Sequence, residues 1–357
     1  AESLGERPEG DDVLLRFSVM YGQWTGNYTA GNFARAAEIA KQFLTVAEKQ
    51  ARSAPLLMAH RVMGATLAIS GEFSAARLHL DRAVALYVPE EHRSLATRFG
   101  QDIGVAALCY RSVVLCHLGY LESALSDSDE ALRSAQEIGR AGTLLYSALF
   151  AAHLQMLCSR FAEAEACVEE LFALSEKHGL PFWGHMSSVL RGMVFAATDR
   201  ADQAVKLIGS GLSGYGAAGA SYLVPYSLTW LARAQAACGR VAEAQNAISE
   251  ALDVVSKTNE RWDEAEIYRT AGEFAVSLLH ADPEVAESHF RESLTIARRQ
   301  DAKSNELRAA ICLARLWRDQ GRQDEARELL APIFGWFTEG LDMPHLIEAH
   351  ALLHEMQ

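Results

Sequence analysis

Thiol pairs, basic charge and long hydrophobic runs are all lacking from this sequence, and each absence removes a class of protein. Six cysteines (Cys109, Cys116, Cys158, Cys167, Cys238 and Cys312) stand among 357 residues. None forms a C-x-x-C pair, and most lie among Ala and Leu on apolar helical faces. That usage argues against a disulfide framework or a zinc site and fits reduced, buried thiols in a cytoplasmic protein. Lys and Arg number 33 against 46 Asp and Glu, a formal net charge of −13. So acidic a surface gives phosphate backbones and anionic headgroups no counterion release, so neither nucleic acid nor membrane is an expected partner. No apolar stretch approaches the roughly 20 residues that span a bilayer. No signal peptide is visible. The first residue is Ala1 rather than Met, which we read as a piece processed or excised from a longer protein.

Catalytic signatures are missing too. There is no Gly-Lys-Ser/Thr phosphate loop and no G-x-S-x-G elbow. Gly214-Tyr215-Gly216-Ala217-Ala218-Gly219 matches G-x-G-x-x-G literally. A dinucleotide fingerprint needs a strand before it, whereas helical patterns flank this one, so we expect an inter-repeat turn. His350 and His354 are spaced i, i+4, with His345 as a conceivable third ligand, but a solvated helix face explains them better. The other histidines pair with no Cys or Ser in a nucleophile arrangement. The adjacent acids Glu90-Glu91 and Glu169-Glu170 splay apart on a helix. No catalytic, cofactor or metal residue is therefore expected.

What the sequence does contain is a period. A turn residue, a hydrophobic residue two positions on and Ala three further recur as Gly31…Phe33…Ala36, Gly71…Phe73…Ala76 and Gly119…Leu121…Ala124. With substitutions they return as Ser159…Phe161…Ala164 and Asp199…Ala201…Ala204, then as Gly239…Val241…Ala244, Asp282…Ala286 and Gly321…Gln323…Ala326. The anchoring alanines at 36, 76, 124, 164, 204, 244, 286 and 326 are separated by 40, 48, 40, 40, 40, 42 and 40 residues. Apolar residues four positions after an anchor (Leu80, Val168, Ile208, Ile248, Phe290, Leu330) continue the stripe on one helix face. Alanine at the anchor lets two helix axes approach toward the short end of the usual 8–10 Å. A second apolar run precedes each turn, with Gly64 and Gly192 marking close crossings. No run alternates with period two. The expectation is an all-α superhelix of about eight helix-turn-helix units over 1–341, closed by a capping helix at 342–357.

Gly64, Leu67, Gly71, Phe73, Ala76, Leu80 and Ala83 match the small and large positions of the tetratricopeptide consensus, so the fold resembles a tetratricopeptide solenoid with lengthened helices. The joints carry a narrower likeness. They are Tyr87–Leu95 with Gly100-Gln101-Asp102, Glu260–Arg269 with Gly272-Glu273, Arg298–Ser304, Leu313–Trp317 and Gly335–Asp342. Together they resemble the C-terminal region of bacterial, rhizobial-type fusion proteins. In that family a class III adenylate/guanylate cyclase domain and an AAA/STAND-type ATPase module precede such an array. The resemblance implies a regulatory module whose partners include its own cyclase and ATPase domains. It implies no catalytic residue here. One departure is the glycine-rich Gly209–Gly214, expected to loosen the fifth unit.

Function is then sought on the inner surface, which the first helix of each unit lines. The register places Arg61, Tyr146, His153, Met156, Met186, Met193, Tyr226, Trp230, Arg233, Arg269 and Arg315 there. Aromatic, Met and Arg side chains together suit an adaptable groove for a peptide or partner protein, although Met156, Met193 and Trp230 also read as core. The unit expanded to 48 residues carries a polar loop with His92, Arg93, Gln101 and Asp102, a second candidate contact. A small-molecule-sensing array is the alternative function.

Overall fold

The turn inside each unit forms where the backbone can enter the left-handed region. Gly31, Gly71, Gly119, Gly239 and Gly321 take φ between 74° and 92° there. Where Gly is replaced, Ser159 and Asp199 adopt the same conformation at 56° and 58°, a geometry that costs a non-glycine residue about 1–2 kcal/mol. The turn is thus conserved in shape across units that differ in sequence. The computed structural model describes residues 9–277 and 282–356. Ala1 and Gln357, and with them the outermost ends of the expected array and cap, lie outside the described residues, as does most of the turn in the seventh unit.

Each turn joins two helices. In chain order the pairs are α1 (Glu9–Thr29) with α2 (Phe33–Gln50) and α3 (Ser53–Ile69) with α4 (Phe73–Leu86). The expanded joint folds as two short helices, α5 (Pro89–His92) and α6 (Ala96–Phe99), around a 3-10 turn. Then follow α7 (Ile103–His117) with α8 (Leu121–Ile138), α9 (Ala141–Leu157) with α10 (Phe161–His178), and α11 (Pro181–Ala197) with α12 (Ala201–Ala217). The last pairs are α13 (Val224–Ala237) with α14 (Val241–Thr258), α15 (Glu264–Ser277) with α16 (Pro283–Arg299), and α17 (Lys303–Asp319) with α18 (Gln323–Phe334). A final helix, α19 (Pro344–Glu355), packs on α17 and α18. No strand occurs among the described residues, and no single described helix is long and apolar enough to cross a membrane. The architecture is an all-α, tetratricopeptide-like superhelix.

Small residues hold the pairs together. All eight anchoring alanines are 0 % exposed. A Cβ placed on Gly64 would stand 2.5 Å from Leu80 Cγ, and one on Gly192 would stand 3.1 Å from the Ala204 carbonyl and 2.6 Å from Ile208 Cγ1. These are the crossings the spacing marks. Ala244→Leu is therefore expected to destabilise by about 1–3 kcal/mol through overpacking; an unchanged melting temperature would place the crossing elsewhere. The glycine-rich segment behaves differently from expectation. Gly209–Gly214 lies inside continuous α12, where Gly211 lets the His185 carbonyl approach and Gly214 lies against the His185 ring. Close packing, not a loose joint, uses Gly211 and Gly214, whereas a Cβ on Gly209 would meet open space. The G-x-G-x-x-G match begins in the same helix and reaches a turn only at its end.

The winding closes on itself with a constant register of five units. The first unit's turn accepts at the Thr29 carbonyl a hydrogen bond from Ser221 N, just before α13, at 2.9 Å. In the second unit, the Ile69 carbonyl accepts from Arg261 N and Trp262 N, before α15, at 2.8 and 3.2 Å. The third unit's Cys116 carbonyl accepts from Ser304 Oγ at the start of α17 at 2.5 Å. The fourth unit's Ser159 Oγ meets His345 Nε2 of α19 at 2.9 Å. Unit n touches unit n+5 each time, and the cap stands where a ninth unit would. The first helices, buried nearly all round, are enclosed by this closure, whereas the second helices keep a polar outer face.

Candidate functional site

Closing the superhelix leaves a partly open hollow along its inner wall. An axial cavity of about 180 Å³ lies between the first helices of the leading units and the start of the sixth. α1 contributes Tyr21, Trp24, Thr25 and Tyr28 to it, α3 contributes Arg61, and α7 contributes Tyr110. Tyr146, Leu149 and Phe150 come from α9, Phe182, Trp183 and Met186 from α11, and Tyr215 from α12. Thr29 at the end of α1, and Gln101 and Tyr222 on the joints, complete the wall. Tyr21, Trp24 and Tyr28 follow i, i+3, i+7 on one stripe, which is why a single helix supplies so much of the aromatic surface.

Among the described residues, Arg61 is the only charged one in that wall. Its Cζ lies 5.8, 5.1, 5.3 and 5.7 Å from the ring centroids of Tyr21, Trp24, Tyr110 and Tyr146. Nη2 donates to Tyr146 OH at 2.6 Å and Nη1 to Tyr21 OH at 3.4 Å. Gln101 Nε2 also donates to Tyr21 OH, at 2.6 Å. Burial pushes the phenols of Tyr28, Tyr110, Tyr146 and Tyr222 well above their ordinary pKa, so they stay neutral.

A second cavity, about 290 Å³, opens between the fourth unit's turn, α13, α15, α17 and α19. Its wall is ionic. Glu266 Oε1 accepts from Arg308 Nη2 at 2.8 Å and Arg233 Nη2 at 3.2 Å, and Oε2 accepts from Arg269 Nε at 2.8 Å. Glu273 accepts from Arg233 at 2.8 Å and also pairs with Arg269. Burial alone would push the Glu266 carboxyl up, but the Arg269 and Arg308 guanidiniums hold it well below the ordinary carboxylate range. Arg315, half exposed, pairs with Glu348 of the cap at 2.6 Å.

The residues expected in one groove are thus divided among three places. Arg61, Tyr146 and Met186 line the axial cavity, whereas Trp230, Arg233, Arg269 and Arg315 line the ionic one. Met156, Met193 and Tyr226 are buried in the packing between helices, and His153 is held between the Tyr226 and Trp262 rings at 5.0 and 5.2 Å. Three of the loop residues, His92, Arg93 and Asp102, gather around Tyr87, where they serve the joint's own packing and hydrogen bonding. His92 Nδ1 accepts from Val88 N at 2.9 Å, and its Nε2 meets Ser53 Oγ at 3.2 Å. Asp102 caps α7 through Val105 N at 3.0 Å and accepts from Tyr87 OH at 2.9 Å. Arg93 is exposed and pairs with Glu137 at 3.1 Å. Of the four, Gln101 lines the axial cavity. The aromatic wall itself is not foreseen in the sequence, although the Tyr21-Trp24-Tyr28 stripe signals it.

Among the described residues no cluster of three His, Cys, Asp or Glu could hold a metal ion, and all six cysteines are free. His350 and His354 are exposed on α19, while His345 faces Ser159 and Glu348.

No family model and no curated protein matches the sequence. Solved structures do resemble the fold. One is a Rap protein complexed with Competence and Sporulation Factor, at 15% identity and TM-score 0.62, covering 80% of this chain and 76% of that one. A second is the apo form of the quorum sensor NprR from B. thuringiensis, at 11% identity and TM-score 0.52, covering 92% and 89%. A third is the human IFIT1 dimer with PPP-AAAA, at 14% identity and TM-score 0.51, covering 91% and 68%.

Proposed function

We propose that this chain is a non-catalytic regulatory module that takes a short peptide segment, from a partner protein or from its own cyclase and ATPase domains, into its superhelical interior. The observation that carries this reading is the convergence of aromatic rings and one uncompensated guanidinium on a cavity at the superhelical axis. A ligand there touches several units at once, so its binding free energy favours one winding over another. Likeness to the fold of a Rap protein complexed with a factor, and to a quorum sensor, supports a ligand-responsive role. The joint motifs support cyclase and ATPase domains as what is regulated, and the free cysteines support a cytoplasmic setting. The acidic net charge, −13, argues against an RNA ligand like that in the IFIT1 complex.

A second reading, a small-molecule sensor, is favoured by the size of the cavity, about 180 Å³. That is below the 300–1,000 Å³ of drug-sized sites but close to the ~150 Å³ that admits benzene. Thermal-shift screening with pooled short peptides and with metabolites separates the two. Peptide stabilisation that vanishes in Trp183→Ala, a partly exposed ring of the wall, is the expected result. Metabolite stabilisation alone would favour the sensor, and stabilisation unaffected by Trp183→Ala would remove the axial cavity from the function.

A further inference from the structure

Arg61 is a buried cation to which the described residues supply no counter-charge. It is 2 % exposed, its two Nη atoms reach only phenols, and its Nε–H meets no acceptor. Its neighbours present hydroxyl dipoles and π-faces. Stranding a guanidinium in such a setting is costly. Elsewhere the chain avoids it: Arg269 meets Glu266 and Glu273, and Arg308 meets Glu266. Beside Arg61 there is empty volume instead, about 180 Å³ with a largely apolar wall.

Resting on the reading that this interior binds a ligand, we infer that the axial cavity is a receptor for a carboxylate carried on a flat apolar or aromatic group. The carboxylate would sit against the Arg61 guanidinium. Its apolar body would lie among Phe182, Trp183 and Tyr215. A phosphate suits the site less well, because no second cation lines it and the wall is aromatic. The same chemistry is presented by the C-terminal aromatic residue of a peptide and by a small aromatic acid.

Calorimetry on the whole chain tests this with matched pairs: phenylacetate against phenylacetamide, indole-3-acetate against indole-3-acetamide, and Ala-Ala-Phe with a free against an amidated C-terminus. At least one acid is expected to bind roughly 10–100-fold more tightly than its amide, the effect of a charge-assisted bond to a buried donor. Arg61→Gln should abolish that difference and Arg61→Lys should retain part of it. The acid–amide comparison needs only the unaltered chain, so a folding defect in either variant leaves it decisive. Equal binding of acid and amide, or binding of none of the six probes, overturns the proposal. Peptides that bind whether or not the C-terminus is amidated would sink it while leaving the peptide-binding function intact. Arg61-dependent binding of the small acids without any peptide would uphold it and favour the sensor instead.

Discussion

Glu266→Gln is expected to destabilise the protein by about 3–5 kcal/mol, the cost of leaving buried charges without their partner. Glu266 is 5 % exposed and takes hydrogen bonds from Arg233, Arg269 and Arg308, which lie on three different helices, α13, α15 and α17. It is therefore a tie across three consecutive units, not a surface pair worth a few tenths of a kcal/mol. Arg269 and Arg233 keep Glu273 as a second acceptor, but Arg308 has no other described ion-pair partner. Glutamine preserves the shape and one acceptor while removing the charge, so the loss isolates the electrostatic tie. The melting temperature should fall by roughly 4–7 °C, scaling from the per-residue unfolding entropy of globular proteins. An unchanged midpoint in calorimetry would show that the three guanidiniums find water or other acceptors.

His153→Phe should behave in the opposite sense, and only in acid. Burial between Tyr226 and Trp262 pushes the His153 imidazole down to about 3, against ~6.5 in the unfolded chain. Between those values the unfolded chain binds a proton that the native protein refuses. The stability contributed by the neutral ring is whole above pH ~6.5 and shrinks by about 1.4 kcal/mol per unit as pH falls toward 3. Phenylalanine carries no such term. Its advantage over the wild type should therefore grow by about 3 kcal/mol between pH 7 and pH 4, read from paired denaturation curves.

The difference between the two proteins is the informative quantity, because the wild-type profile is flattened from the other side. Burial raises the Asp263 carboxyl to about 8, and both its oxygens lack a donor. Its contribution is present below its unfolded pKa and is lost as pH rises through 8. Parallel pH profiles for wild type and His153→Phe would mean that the imidazole is solvated in the native state.

The repeat was legible because each unit is a local problem. A turn residue able to enter the left-handed region, an alanine at a crossing and an apolar stripe are all specified within about 40 residues of chain. The eight pairs follow from them even where Gly becomes Ser159 or Asp199. The expanded joint was legible as an interruption, but its polar residues were not legible as parts of the fold. His92 and Asp102 look free for ligands in sequence, yet they satisfy backbone groups that any buried joint must satisfy. Likewise the arginines are placed along one groove in sequence, which does not say that Arg233 and Arg269 face Glu266 and Glu273 while Arg61 faces phenols.

What sequence determined by itself, then, was the unit and its stacking, since those depend on neighbours a few turns of helix away. Only the tertiary structure decided the five-unit register, because the pitch is the sum of small rotations accumulated over every unit between. That register brings Thr29 to Ser221 and Ile69 to Trp262, and with them closes a trough into an aromatic cavity. Arg61 and Tyr146 lie 85 residues apart in the chain. Their meeting is a consequence of curvature, which no local pattern encodes.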